Sequence, residues 1–428
     1  MKKQYSIHKS TYKHLDSTDP LRKFQKRFHK PKFNGIDKII YLCGNSLGLQ
    51  PIDTYDFVNK EINKWKNLGV DGHFSSERPW VTYHENLTNY TAEIVGSLNS
   101  EVVVMNSLSV NLHLLMISFY KPKNLKRKIL IEQNSFPSDQ FVVQSQLKYH
   151  NNDPKKDLLF LPSLDSNGLT STDQIISYIK KYHDQISLIL IGGVNYYTGQ
   201  AFDIKTITKI AQEYDCILGL DLAHAVGNIK LSLHDWGVDF AAWCGYKYLN
   251  GGPGCPSGIF IHEKHLKNKS ITRFEGWWGQ KKSIRFKPNM EFSAEPNAEA
   301  WQLSNPPILS MAPLISSLRI FHESGLSALR NKSIILTGYL EFLLNEQLNE
   351  HIKIITPKEK NQRGCQLSII LKKSNHNIVV NLREHGLIID WRDPNVMRVA
   401  PVPLYNTYED CYKFVNILSD ILEINHLR

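Results

Sequence analysis

Asp221 and Lys247 stand 26 residues apart in the stretch DLAHAVGNIKLSLHDWGVDFAAWCGYK, each closing an apolar run of a kind that ordinarily excludes charge. Residues 217–220 read as a short buried strand that ends on Asp221, and residues 240–244 as a second that delivers Tyr246 and Lys247. In an open α/β sheet the carboxyl ends of strands are where ligands bind, so two charges at strand ends predict a site. The chemistry that uses this pair is that of pyridoxal 5'-phosphate. A lysine amine condenses with the cofactor aldehyde as a Schiff base, and a carboxylate at the pyridine nitrogen keeps the ring protonated so that it draws electrons from the substrate. His224, three residues beyond Asp221, could support that carboxylate or stack on the ring. An isolated Asp and Lys would more often be a helix cap and a solvated side chain. Their apolar setting, with Tyr246 and His224 beside them, favours the site.

The elements that must position these residues follow a repeating scheme. Residues 102–105 are an apolar run, residues 106–109 a turn, and residues 110–120 have helical spacing. The same strand, turn and helix recur at 129–131 and 140–150, and at 186–191 and 204–214. Repeated βα units predict an α/β fold with a mostly parallel central sheet covered by helices on both faces. Beyond the turn at 304–307, helical patterns at 308–323 and 332–349, short strands at 352–355 and 366–371, and a closing helix at 408–424 predict a smaller C-terminal α+β domain. The expected division is an N-terminal segment 1–70 packing on the small domain and the site, a large cofactor-binding domain 71–310 and a small domain 311–428. With 428 residues, 42% of them hydrophobic and 21% charged, the chain has the composition of an ordinary globular enzyme. Its formal charge of +10 comes from scattered lysines, with no basic run, and gives little support to nucleic-acid binding. Six cysteines without a CxxC pair point to reduced thiols, a cytoplasmic location and no metal site. The first residues are charged but lack an apolar stretch, so neither a signal peptide nor a membrane span is expected.

Two turns suit a phosphate. Leu108 and Ser109 open a helix, where unpaired N–H groups and the dipole favour an anion. Phe136, Pro137, Ser138 and Asp139 offer an aromatic to cover a ring, a hydroxyl and a carboxylate. Either turn read alone is equally an ordinary cap. Gly251-Gly252-Pro253-Gly254 lacks the strand-to-helix context of a dinucleotide fingerprint and reads as a loop.

Seven segments carry a resemblance in family order: YLCGNSLGLQP at 41–51, NLHLLM at 111–116, DLAHAVGN at 221–228, YKYLN at 246–250, GWWG at 276–279, SNPP at 304–307 and RVAPVPLYN at 398–406. By these the chain resembles the kynureninases. The resemblance implies the aspartate-aminotransferase-like fold of pyridoxal-phosphate-dependent transferases (fold type I) and a hydrolase acting on a carbon–carbon bond. Such an enzyme cuts kynurenine or 3-hydroxykynurenine into alanine and anthranilate or 3-hydroxyanthranilate, in tryptophan breakdown and NAD biosynthesis. It further implies a homodimer with active sites shared across the interface. Matched position by position, Lys247 is the Schiff-base lysine, Asp221 the pyridine-nitrogen partner and His224 its neighbour. Leu108 and Ser109 match the phosphate turn, Phe136 to Asp139 the ring-covering loop, and Tyr246 a further phosphate contact. Trp277 and Asn305 match residues that reach the cofactor from the neighbouring subunit, and Arg398 the clamp for the substrate carboxylate, where a planar bidentate donor is well suited. Ser46 and Ser304 belong to the same substrate-facing motifs. Relatives usually carry Ser or Thr in place of Gly192, so a hydroxyl contact to the cofactor is expected to be missing here. Gln280 stands where His is common.

Tyr246, beside the lysine, is the candidate proton shuttle for the steps after bond cleavage, with a mere phosphate anchor as the alternative. His73 and Asn305 resemble relatives that prefer the 3-hydroxylated substrate, since a His ring and an Asn amide can bond a phenolic hydroxyl. Two other functions fit parts of the pattern. A cysteine desulfurase shares fold and lysine, and needs a mobile cysteine for which Cys365 is the one candidate. A catalytically silent scaffold of the same fold is opposed by the intact Asp221, Tyr246, Lys247 and Arg398.

Overall fold

The computed structural model describes residues 5–33, 35–36, 38–164, 167–288, 291–373 and 377–422. Among them the chain lays down strands β1 (Ile40–Tyr41), β2 (Val102–Met105), β3 (Lys128–Glu132), β4 (Leu158–Leu161), β5 (Ile186–Gly192), β6 (Ile217–Asp221), β7 (Phe240–Trp243), β8 (Ser257–Ile261), β9 (Ile352–Ile354), β10 (Leu367–Leu371), β11 (Leu387–Ile388), β12 (Asp390–Arg392) and β13 (Val396–Val399). Seven of these form the large sheet in the order β2-β8-β7-β6-β5-β3-β4. The central runs are apolar throughout because helices cover both faces. Leu218, Leu220, Phe240, Ala241, Ile189 and Leu130 are all fully buried. The expected parallel sheet is present, with one reversal: β8 runs antiparallel to both β7 and β2, while β7, β6, β5, β3 and β4 pair in parallel. The connection from β7 to β8 has no crossover helix, and without one the chain returns antiparallel. That connection carries Lys247.

The helices Leu108–Phe119, Pro137–Tyr149 and Ile204–Glu213 occupy the expected places. Strands β4 and β8 escaped the sequence reading, which took no strand from residues 158–161 or 257–261. A second, four-stranded antiparallel sheet, β12-β13-β10-β9, packs its apolar face under the helices Leu326–Leu348, Ile378–Glu384 and Tyr408–Ile421. The expected end of the last helix, residues 423 and 424, lies outside the described residues. An N-terminal helix, Lys9–Ser17, docks on this unit through Asp16, whose carboxylate accepts from the N–H groups of Tyr408 and Glu409 at 2.9 and 3.0 Å. Behind it Asp19 and Lys332 form a buried ion pair of 2.8 Å. Strand β1 pairs in parallel with β11, Ile40 opposite Leu387, and this brings the segment after it to the large sheet.

Candidate active site

The carboxyl ends of β3, β5 and β6 and the turns after β2 and β7 open onto one cavity of about 380 Å³. At one end two helix N-termini converge. The helix from Leu108 starts after Ser107, the helix from Pro137 starts after Phe136, and Ser109 Oγ lies 2.9 Å from Ser138 Oγ. With Ser107 and Ser257 also lining it, this corner supplies hydroxyls, unpaired N–H groups and two favourable dipoles to an anion.

Opposite sits a group of buried acids. Asp221, next to Gly192 across the β5–β6 pair, accepts from Ala223 N at 2.7 Å. Asp139 is pushed well above the usual carboxylate range, first by burial, then by the charge of Asp221 and a hydrogen bond with it. Glu132, which closes β3 as Asp221 closes β6, is raised by burial although it accepts from Asn195 Nδ2 at 2.8 Å and Gly192 N at 2.5 Å. The expected gap at Gly192 thus has a neighbour: a Cβ there would stand 3.0 Å from Glu132 Oε1. A hydroxyl-bearing side chain would compete with that carboxylate for space.

Lys247 Nζ reaches the middle of the cavity, 5.9 Å from the ring centroids of Phe136 and Tyr246. Its nearest polar partner is His224 Nε2 at 3.1 Å. His224 therefore supports the lysine, not Asp221 as one sequence alternative had it. Burial, then the charges of Lys247, Arg398 and Arg392, hold the imidazole well below its ordinary basicity, so Nε2 offers a lone pair to the ammonium. His224 Nδ1 is buried without a partner. An amine, an anion corner, a buried acid pair and an unused ring nitrogen in one cavity fit the aldehyde, phosphate and pyridine nitrogen of pyridoxal phosphate.

The other end is cationic. Arg398 on β13 is 1% exposed, donates from Nε and Nη2 to Asp390 at 3.0 and 2.7 Å, and from Nη1 to the Tyr196 carbonyl at 2.8 Å. A guanidinium carries five N–H groups, so one remains on each Nη nitrogen. Ser46, carried in behind β1, lines the same cavity. Pro137 does not; as the first residue of its helix it sets the direction of the turn. Tyr246 lines the wall, and its phenol is pushed far above its ordinary value by burial, then by Cys244 and Asp221. It keeps its proton across the neutral range.

Four other expected residues stand apart from this cavity. His73 and Asn305 line a second groove of about 280 Å³ with Glu61, Trp65, Trp80, Pro306, Ile308 and Leu309. Ser304 is exposed beside it, and Trp277, 45% exposed, packs on Trp278 and Phe286 with ring centroids 4.9 and 5.7 Å away. Gln280 holds a surface loop, accepting from Ser293 N and donating to the Glu291 carbonyl. Cys365, the desulfurase candidate, is 1% exposed, with its thiol raised to about 12 by burial. It is packed in the core and does not line the cavity. Glu132, Asn195, Tyr196, Asp390 and Arg392 were not singled out from the sequence. A carboxylate closing an apolar strand would have flagged Glu132 as it flagged Asp221.

Two further groups of possible metal donors occur among the described residues, Glu101/His234/His262 and His84/Glu85/Glu299. In each group some of the donor atoms already serve contacts within the protein. Glu101 Oε1 accepts from Glu263 N at 2.7 Å and His262 Nδ1 from Lys264 N at 3.2 Å. Burial of Glu299 is outweighed by His84 and by Lys282 at 3.0 Å, which together bring its carboxyl down to about 2.

A profile of the kynureninase C-terminal domain matches residues 329–418. A kynureninase of Koribacter versatilis is 50% identical over 94% of this chain and 95% of its own length. One from Myxococcus xanthus is 47% identical over 95% of each. Among solved structures, a cysteine desulfurase from Thermococcus onnurineus superposes with a TM-score of 0.74 at 17% identity, covering 90% of this chain and 95% of that one. A C-DES variant described with glycine covalently linked to its pyridoxal phosphate superposes at 0.76 with 15% identity, covering 91% and 100%. The fold is that of the aspartate-aminotransferase-like, type I pyridoxal-phosphate enzymes.

Proposed function

The chain belongs to the kynureninase family, and from that premise we propose that it uses pyridoxal phosphate to hydrolyse the Cβ–Cγ bond of L-kynurenine or 3-hydroxy-L-kynurenine. The products are L-alanine and anthranilate or 3-hydroxyanthranilate. The observation that carries this reading is the meeting of Lys247, Asp221 and Arg398 on one cavity. Ser46 comes to it from the segment 1–70, the cofactor residues from 71–310 and Arg398 from 311–428.

When bound, the cofactor draws electrons from the substrate's α- and β-carbons, which makes the Cβ–Cγ bond breakable. The residues that would hold it are Lys247 at the aldehyde, Leu108, Ser109, Ser138 and Tyr246 at the phosphate, Asp221 with Asp139 at the pyridine nitrogen, and Phe136 and His224 against the ring. The Lys247 amine would be the base that takes the α-proton. Arg398 fixes the α-carboxylate with its two remaining N–H groups, and so orients the γ-carbonyl to which water adds. Tyr246, a phenol held in its protonated form, is the donor that returns a proton to carbon after the aromatic acid leaves. Tyr246→Phe is expected to lower kcat about 100-fold and to change its pH dependence. Near-wild-type turnover with the same pH profile would leave the phenol as a phosphate anchor only.

His73, Ser304, Asn305 and Trp277 are read as contributions from a second subunit of a homodimer. The exposed aromatics Phe74, Phe286 and Trp277, stacked edge to face on one another, suit an interface of that kind. In the groove, His73 Nδ1 lies 3.0 Å from the Val70 carbonyl. A carbonyl only accepts, so Nδ1 carries the proton in the neutral ring and Nε2 is left as an acceptor for a hydroxyl. Apolar walls from Trp65, Trp80 and Leu309 suit the aromatic ring bearing it. The 3-hydroxylated substrate is therefore expected to have the higher kcat/KM, by about tenfold for one net hydrogen bond. An assay of acid release from both substrates tests function and preference together. Release from neither would end the functional reading; equal kcat/KM for the two would end the preference, which His73→Phe should otherwise abolish. A cytoplasmic location accords with the six free thiols.

A further inference from the structure

Asp390 and Arg392 are two residues apart on β12, so their side chains share one face, and Arg398 stands directly opposite Asp390 on β13. One carboxylate consequently lies between two guanidiniums. Its oxygens are 2.7 and 3.0 Å from Arg398, and 3.1 and 3.4 Å from Arg392. Both arginines line the cavity, and both charges reach far enough to depress the basicity of His224. Asp390 can neutralise only one of them. This end of the cavity has room in its charge balance for one more carboxylate.

The two cations are not placed alike. The Arg398 side chain is 1% exposed with most of its donors engaged, whereas that of Arg392 is 38% exposed and holds Asp390 through longer contacts. We propose that Arg392 is a second ligand for the substrate's α-carboxylate, completing with Arg398 a two-guanidinium cradle in which Asp390 orients both. A carboxylate has about four lone-pair sites, enough to accept from both arginines at once. The inference rests on the kynurenine-cleaving reading for the identity of the substrate, though the α-carboxylate itself is common to any amino acid bound here.

The test uses the cofactor-loaded protein and Arg392→Gln. KM for kynurenine should rise about tenfold, the equivalent of one charge-assisted contact, while kcat stays within about twofold. The constant for L-alanine, a product that keeps the carboxylate, should weaken in parallel. That for 2-aminoacetophenone, which has the aromatic ketone without the amino-acid head, should not move. Arg392→Lys should recover part of the loss by keeping the charge. Unchanged KM and alanine binding would overturn the proposal, and so would equal weakening of alanine and 2-aminoacetophenone, the mark of a purely structural tie to Asp390. If the wild-type protein cleaves no kynurenine, the functional reading falls. Alanine binding, followed through the visible absorbance of the loaded protein, then still decides on the cradle.

Discussion

Lys247→Ala protein is expected to be colourless after gel filtration and to turn over kynurenine at least about 10⁴-fold more slowly than wild type, because one side chain supplies both the covalent hold on the cofactor and the base. Its fold should survive. Lys247 is half-buried, and its close polar contact, His224, is left as a neutral ring that needs no counter-charge. The serine corner between the two helix N-termini is untouched, so added cofactor should still bind, reversibly and without becoming fixed by borohydride. Residual turnover above about one per cent would mean that another group takes the α-proton, and the assignment of Lys247 as base would be wrong.

Asp221→Asn separates holding the cofactor from using it. The amide keeps the shape and the contact with Ala223 N but brings no negative charge to the pyridine nitrogen. Turnover should fall by about 10²–10³-fold, the usual cost of removing one preorganised electrostatic partner, while the borohydride-fixable link to Lys247 persists. Asp139 complicates the outcome in a defined direction. Its proton affinity is raised by burial and then by the charge of Asp221. Taking that charge away lets Asp139 ionise at lower pH and stand in partly for the missing carboxylate. The double variant Asp139→Asn/Asp221→Asn should therefore be slower than Asp221→Asn alone. If the two are equal, Asp139 does not serve the ring.

Much of the large sheet was legible because its strands are continuous apolar runs of the length that helices on both faces require, and the charges that close them, Asp221 and the later Lys247, have no structural reason to be there. What escaped falls into kinds. Tyr196 serves Arg398 through its backbone carbonyl, which no side-chain pattern reveals. Asp390 and Arg392 gain meaning only from the antiparallel register that sets them beside Arg398. His224 was read as a support for Asp221, three residues away in sequence, or as a ring stacked on the cofactor, and its contact with Lys247, which comes from another connection, was not foreseen. His73 and Asn305 line a separate groove; on the dimer reading proposed above a second subunit would bring them to the cavity, and periodicity within one chain carries no such information.

The pairing of β1 with β11 has a consequence for the order of assembly. The strands of the large sheet, the serine corner and Lys247 all lie within residues 102–261. Ser46 and Arg398 cannot meet until Ile40 has found Leu387, so the cationic end waits for nearly the whole polypeptide. Closing so long a loop is slow compared with pairing neighbours. On the ribosome, the residues that would grip the cofactor, from Leu108 to Lys247, are therefore made well before Arg398, which would select an amino acid.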